Sequence, residues 1–122
     1  MRKIVIFLGI FLMAVQAAII EGRAMAMELK SPDFKNNEYI PKKFTCRGEN
    51  INPALIIDEI PAETKSIALI FDDSDAPMGT WVHWVVFNIP VVSSIKENSV
   101  PGKQGINDFS RLNYGGPCPP SG

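Results

Sequence analysis

The chain has 122 residues, a formal net charge of −1 and 20% charged residues. That balance fits one small domain and excludes polyelectrolyte behaviour; with no Lys/Arg cluster, nucleic acid is not an expected partner. Nine Gly and ten Pro, concentrated in the second half, favour short strands and ordered loops over long helices.

In chain order, Arg2 and Lys3 precede an uncharged run from Ile4 to Ile20, followed by Glu21-Gly22-Arg23 and Ala24-Met25-Ala26. A basic start, an apolar stretch and a small-x-small site describe a secretory signal peptide over residues 1–26. The domain would then be residues 27–122, secreted or periplasmic. Two alternatives stay open. An uncleaved segment would anchor the protein to a membrane, its only membrane contact. A true start at Met27 would leave the protein cytoplasmic.

Met27 to Phe34 opens with a short strand broken at Pro32-Asp33, and Asn36-Asn37 reads as a turn. Phe44-Thr45-Cys46 reads as a short extended piece ending at Arg47-Gly48. Ala54 to Ile57 is β-branched, bounded by Pro53 and Asp58, and reads as a strand. Ile60 to Thr64 is a loop. Ser66 to Phe71 is the strongest buried-strand signal, and Val82 to Ile89 is the second. Both are apolar on two faces, so each needs cover on both. Pro90 to Asn107 lacks periodicity and reads as a long loop. Tyr114 to Gly122, rich in Gly and Pro, can be neither a helix nor a central strand. No amphipathic helix is expected after Met27. The residues by themselves point to an antiparallel β-sandwich.

The chemistry-bearing residues crowd into Asp73-Ser74-Asp75-Ala76-Pro77 and the following Trp81-Val82-His83-Trp84. This stretch holds the chain's one His and both Trp. Asp73 and Asp75 sit at a strand end. They suit an acid/base pair, a weak metal site or a binding pocket, or they simply accept backbone N–H groups in the turn before Pro77. On strand spacing, His83, Val85 and Phe87 share one face, and Val82, Trp84 and Val86 the other. With both faces apolar, this strand should be central. The plain reading of His83 is a buried imidazole bonded to a backbone carbonyl. With an acid at the neighbouring strand end, the same imidazole could form a compact pocket for an anion. One His and no Cys pair at ligand spacing argue against zinc, and neither a metal nor a cofactor is expected.

Several stretches together resemble the phosphatidylethanolamine-binding protein family, also called Raf kinase inhibitor-like proteins, in its prokaryotic branch. They are Tyr39 to Pro53, Asp73 to Pro77, Trp81 to Pro90, Gly105 to Phe109 and Tyr114 to Gly122. The resemblance implies a mainly β fold, a large central antiparallel sheet packed on a smaller one. It implies an anion pocket in which Asp73 and His83 supply the acid and the imidazole. Asp75 and Pro77 would hold the turn that aims Asp73. Trp81 and Trp84 would flank or support the mouth, and Pro119 and Pro120 would form part of the wall. Ser74 departs from the family's usual Pro. The chain ends at Gly122, where the family continues with a His-Arg-Tyr segment and further strands, so the resemblance implies a domain incomplete at its C-terminus.

Cys46 and Cys118 are the only cysteines. In a secreted chain they invite a disulfide that would brace the pocket wall, the alternative being two separate buried thiols. The leading functional expectation is a non-catalytic protein that binds a small anionic, phosphate or phospholipid head-group-like ligand. The alternative is an inhibitor or regulator of a target protein such as a kinase or protease. A hydrolase using Asp73 and His83 ranks last, because no Ser or Cys nucleophile sits in a recognisable setting.

Overall fold

The β-branched runs form the strands that carry the fold. The computed structural model describes residues 26–120. Expectations about a signal peptide or anchor rest on residues 1–25, outside the described residues.

The described strands are β1 (Glu28–Lys30), β2 (Leu55–Asp58), β3 (Ile67–Asp73), β4 (Trp81–Ile89), β5 (Ser94–Ile95) and β6 (Lys103–Gln104). They form two three-stranded antiparallel sheets, ordered β1-β2-β5 and β3-β4-β6, and neither closes on itself. The mainly β, antiparallel expectation holds. β4 is central, as its two apolar faces demand.

The core lies between the sheets. Ile57 and Ile95 come from the first; Ile67, Leu69, Trp84, Val86 and Ile89 come from the second, and Tyr114 joins them from the C-terminal loop. Trp84, Val86 and Ile89 are among the most buried side chains, each worth about 1.5–3 kcal/mol in apolar area removed from water. Strict alternation would place Ile89 on the face opposite Val86. Asn88 prevents this by taking φ +52°, and the β3–β4 register shifts between Ile67 and Leu69. Asn tolerates the left-handed region better than most residues, so the kink costs little and returns Ile89 to the core.

Three local readings need correction. Phe44-Thr45-Cys46 is not extended: Lys42–Phe44 is a 3-10 helix, followed by a turn. Its bonds run from Phe44 N–H to Pro41 O and from Thr45 N–H to Lys42 O. Only Phe44 of this segment is fully buried, and a turn lets it drop into the interior where a flat strand would expose its neighbours. Pro90–Asn107 is not one irregular loop; it contributes β5 and β6, each too short to show a period. β3 extends to Asp73 and is not covered on both faces, with Ala68 and Ile70 exposed.

Candidate ligand-binding site

Asp73 closes β3 and pairs across the sheet with Trp81, the first residue of β4. The β3–β4 register shifts between Phe71 and Asp72, leaving His83 unpaired between Val82 and Trp84, so strand parity does not extend from Asp73 to His83; Trp81 and His83 both meet the ring of Phe109. Asp73 Oδ1 accepts the Asp75 N–H at 2.9 Å. Asp75 thus holds the turn through its backbone, while its carboxylate stays in solvent. Pro77 is exposed in the same turn, which Gly79 N–H closes on Ala76 O at 3.0 Å. The turn-forming reading of Asp73 is therefore realised, and it also fixes where the carboxylate stands.

His83 is 3% exposed. Its Nδ1–H donates to Gly115 O at 2.7 Å, and Gly115 N–H donates back to His83 O at 3.1 Å. The rings of Phe71 and Phe109 stand edge-on to the imidazole at 5.7 and 5.5 Å. The ring is thus oriented by one hydrogen bond and two aromatic walls, while the backbone bond from Gly115 N–H holds the strand to the loop. No described residue hydrogen-bonds Nε2, and Nε2 is not among the sealed, unpartnered atoms. One ring nitrogen is committed to the fold, and the other has no partner among the described residues.

The segment that supplies Gly115 is placed by residues not foreseen as important. Asn107 is 4% exposed, and its Nδ2 donates to His83 O at 2.8 Å and to Asn113 O at 2.7 Å. Its Oδ1 accepts the N–H groups of Phe109 and Arg111. Asp108 continues the attachment: its Oδ2 accepts Val82 N–H at 2.6 Å, and its N–H donates to Val82 O. One buried amide therefore binds a loop of no regular structure to the rim of β4. A Gly-x-Asn-Asp-Phe stretch was visible at 105–109, yet nothing in residue type separates a structural Asn from a solvated one.

Pro119 and Pro120 are exposed in the same C-terminal loop. Arg47 Nη2 donates to Pro119 O, and Cys46 N–H donates to Pro117 O. Cys46 and Cys118 are joined as a disulfide, with Cα atoms 5.3 Å apart. The loop is thereby tied to the 3-10 turn at one end and to His83 at the other. Gly116 allows the approach; a Cβ there would lie 2.2 Å from Phe44 O.

Trp81 and Trp84 part company. Trp81 stacks edge-on against Phe109 at 5.4 Å on the His83 side, and its Nε1–H is buried without a partner among the described residues. Trp84 points the other way, into the core, where its Nε1–H donates to Gln104 Oε1 and its ring meets Tyr114. Of the two, Trp81 lies on the His83 side against Phe109 and Trp84 in the core against Tyr114. Two cavities, of about 620 and 180 Å³, are lined by neither Asp73, His83, Pro119 nor Pro120. Among the described residues no cluster of His, Cys, Asp and Glu suits a metal ion, and no helix is long and apolar enough to cross a membrane.

The sequence model of one family, described as phosphatidylethanolamine-binding protein, matches residues 30–122. The chain is 52% identical over 103 residues to a UPF0098 protein of Aquifex aeolicus, covering 79% of this chain and 60% of that one. It is 50% identical over 104 residues to a UPF0098 protein of Methanothermobacter thermautotrophicus, covering 79% and 69%. The crystal structure of a putative phosphatidylethanolamine-binding protein homologue from Chlamydia trachomatis superposes with a TM-score of 0.76 at 39% identity, over 80% of this chain and 69% of that one. E. coli YbcL, described as a new member of the mammalian family, superposes at 0.72 with 32% identity, over 79% and 68%. The chain thus spans about three-fifths to two-thirds of the length of these relatives. By sequence and by fold, the chain belongs to the phosphatidylethanolamine-binding protein family.

Proposed function

We propose that the protein is a non-catalytic binder of a small phosphate-bearing ligand, a phosphate monoester or phospholipid head group, held at the β3–β4 rim that carries Asp73, Trp81 and His83. The observation that carries this reading is the state of His83. Its Nδ1–H is spent on Gly115 O, its ring is boxed by Phe71 and Phe109, and its Nε2 has no partner among the described residues. A preorganised imidazole nitrogen offers a phosphate one directed contact: Nε2 accepts from a P–OH, or donates to a phosphate oxygen when the ring carries a second proton. The family name points to the chemical class of ligand, and the unpartnered Nε2 supports His83 as a contact. Among the described residues no hydroxyl is hydrogen-bonded to the imidazole: Ser74 and Thr80, the hydroxyls beside Asp73 and Trp81, are both exposed.

Calorimetric titration with phosphoethanolamine, and separately with inorganic phosphate, tests the reading. The chain should bind the ester, and His83→Ala should abolish the heat of binding while leaving the melting transition in place. Equal affinity in the variant would remove His83 from the site. Binding of inorganic phosphate alone would restrict the ligand class to free anions.

A further inference from the structure

The hydrogen bond that orients His83 also decides which of its nitrogens can change charge. Gly115 O can only accept, so Nδ1 carries a proton for as long as that bond stands. In the neutral ring Nε2 is then a bare lone pair, and a second proton turns it into a donor. Toward a phosphate the two states act in opposite ways. A lone pair set against a deprotonated phosphate oxygen is repulsive, because both are acceptors, and a ring only 3% exposed leaves little water to soften the contact. One proton between Nε2 and the oxygen makes the same contact a charge-assisted hydrogen bond. The other charged side chains on the elements packed against the ring are Asp72 and Asp73 of β3, and Asp108 and Arg111 of the loop that supplies Phe109. Asp73 accepts the Asp75 N–H, and Asp108 accepts the Val82 N–H. An unaccompanied anion therefore enters a neighbourhood of three carboxylates and one guanidinium.

We infer that the site takes a phosphate only together with one proton, shared between Nε2 of His83 and a phosphate oxygen. This rests on the proposed binding at His83 and adds the protonation state of the complex. No other side chain among the described residues offers that proton a place near pH 8. The chain has one His, and Cys46 and Cys118 are bridged to each other. Carboxylates ordinarily titrate at about pH 4, and phenols and lysine amines at about pH 10. Free imidazole loses its second proton at about pH 6.5, and a phosphate monoester its last at about pH 6. Above those values both partners arrive without the proton, and binding has to draw it from solvent. Each further pH unit then weakens binding about tenfold. The site is thereby gated by pH, holding its anion in mild acid and releasing it in mild base.

Calorimetry of the full chain in buffers of different ionisation enthalpy counts the proton. With phosphoethanolamine at about pH 8.5, the observed heat should rise linearly with the buffer's ionisation enthalpy, with a slope of about one proton taken up per ligand bound. Inorganic phosphate should give the same slope, because the proton belongs to the contact with Nε2 and not to the ethanolamine group. For both probes the dissociation constant should rise about tenfold between pH 8 and pH 9. Binding that His83→Ala abolishes, yet that takes up no proton and keeps its affinity from pH 8 to pH 9, would overturn the inference and leave the binding reading standing. No heat with either probe anywhere between about pH 5 and pH 9, a span covering both charge states of imidazole and phosphate, would overturn the two together.

Discussion

Tyr114 offers a perturbation whose size depends on pH. The side chain is 9% exposed, and its hydroxyl donates to Phe44 O at 2.7 Å. Its ring meets Phe71 and Trp84 at 5.6 and 5.7 Å. Burial pushes the phenol well above its ordinary value of 10. Tyr114→Phe keeps the ring and removes the hydroxyl, leaving a buried carbonyl unpaired, at a cost of about 1–3 kcal/mol near neutral pH. In the native protein the folded phenol stays protonated while the unfolded one ionises near pH 10. Its protective contribution is thus fully present below pH 10 and is lost as pH rises beyond it. With 2.303RT of 1.36 kcal/mol per unit, ionisation of the unfolded phenol removes about 1.4 kcal/mol by pH 11. Urea unfolding of both forms at pH 7, 9, 10 and 11 should show the stability gap narrowing by about that amount between pH 9 and 11. Tyr39→Phe, at a fully exposed ring, should show no such convergence. A gap that stays constant across the range would mean that Tyr114 is not sealed in the core and that the loop carrying it is not packed as described.

Three further outcomes are expected. Reducing the Cys46–Cys118 bridge opens a loop with a sequence separation of 72 and should cost about 4 kcal/mol on the chain-entropy account; a melting curve unchanged by reductant would contradict it. Gly116→Ala drives a Cβ against backbone at Phe44 and should cost about 1–3 kcal/mol in urea, whereas a neutral result would mean the loop does not approach that closely. Asn107→Ala should weaken phosphoethanolamine binding without touching the ligand, because it frees the loop that holds His83, and full affinity in calorimetry would remove that positioning role.

How much of this was readable in the chain differs by element. β2, β3 and β4 were legible because Leu55-Ile56-Ile57, Ile67 to Phe71 and Val82 to Ile89 are dense in strand-forming residues. What the runs could not reveal was cover. Ile70 is as apolar as Leu69, yet one is exposed and the other buried, since burial depends on which neighbour the sheet provides. The 3-10 turn at Lys42–Phe44 escaped because Phe and Thr favour strands locally, while the long-range docking of Phe44 under Tyr114 decided the outcome. At the site, the turn chemistry of Asp73 could be read from Asp-x-Asp-Ala-Pro alone. The partner of His83 could not: it is a backbone carbonyl 32 residues away, and a carbonyl leaves no mark on residue type. Trp81 and Trp84 were separable only once strand parity was joined to a known core face.

The most direct test of the account follows from the chain having a single histidine. Imidazole ¹⁵N resonances in the labelled protein come from His83 alone, so both ring nitrogens can be followed without ambiguity. On titration with phosphoethanolamine, the Nε2 resonance should move and saturate while Nδ1 keeps its proton and its bond to Gly115 O. An Nε2 resonance indifferent to the ligand, while backbone signals elsewhere in the protein shift and saturate, would place the ligand away from His83 and contradict the central claim.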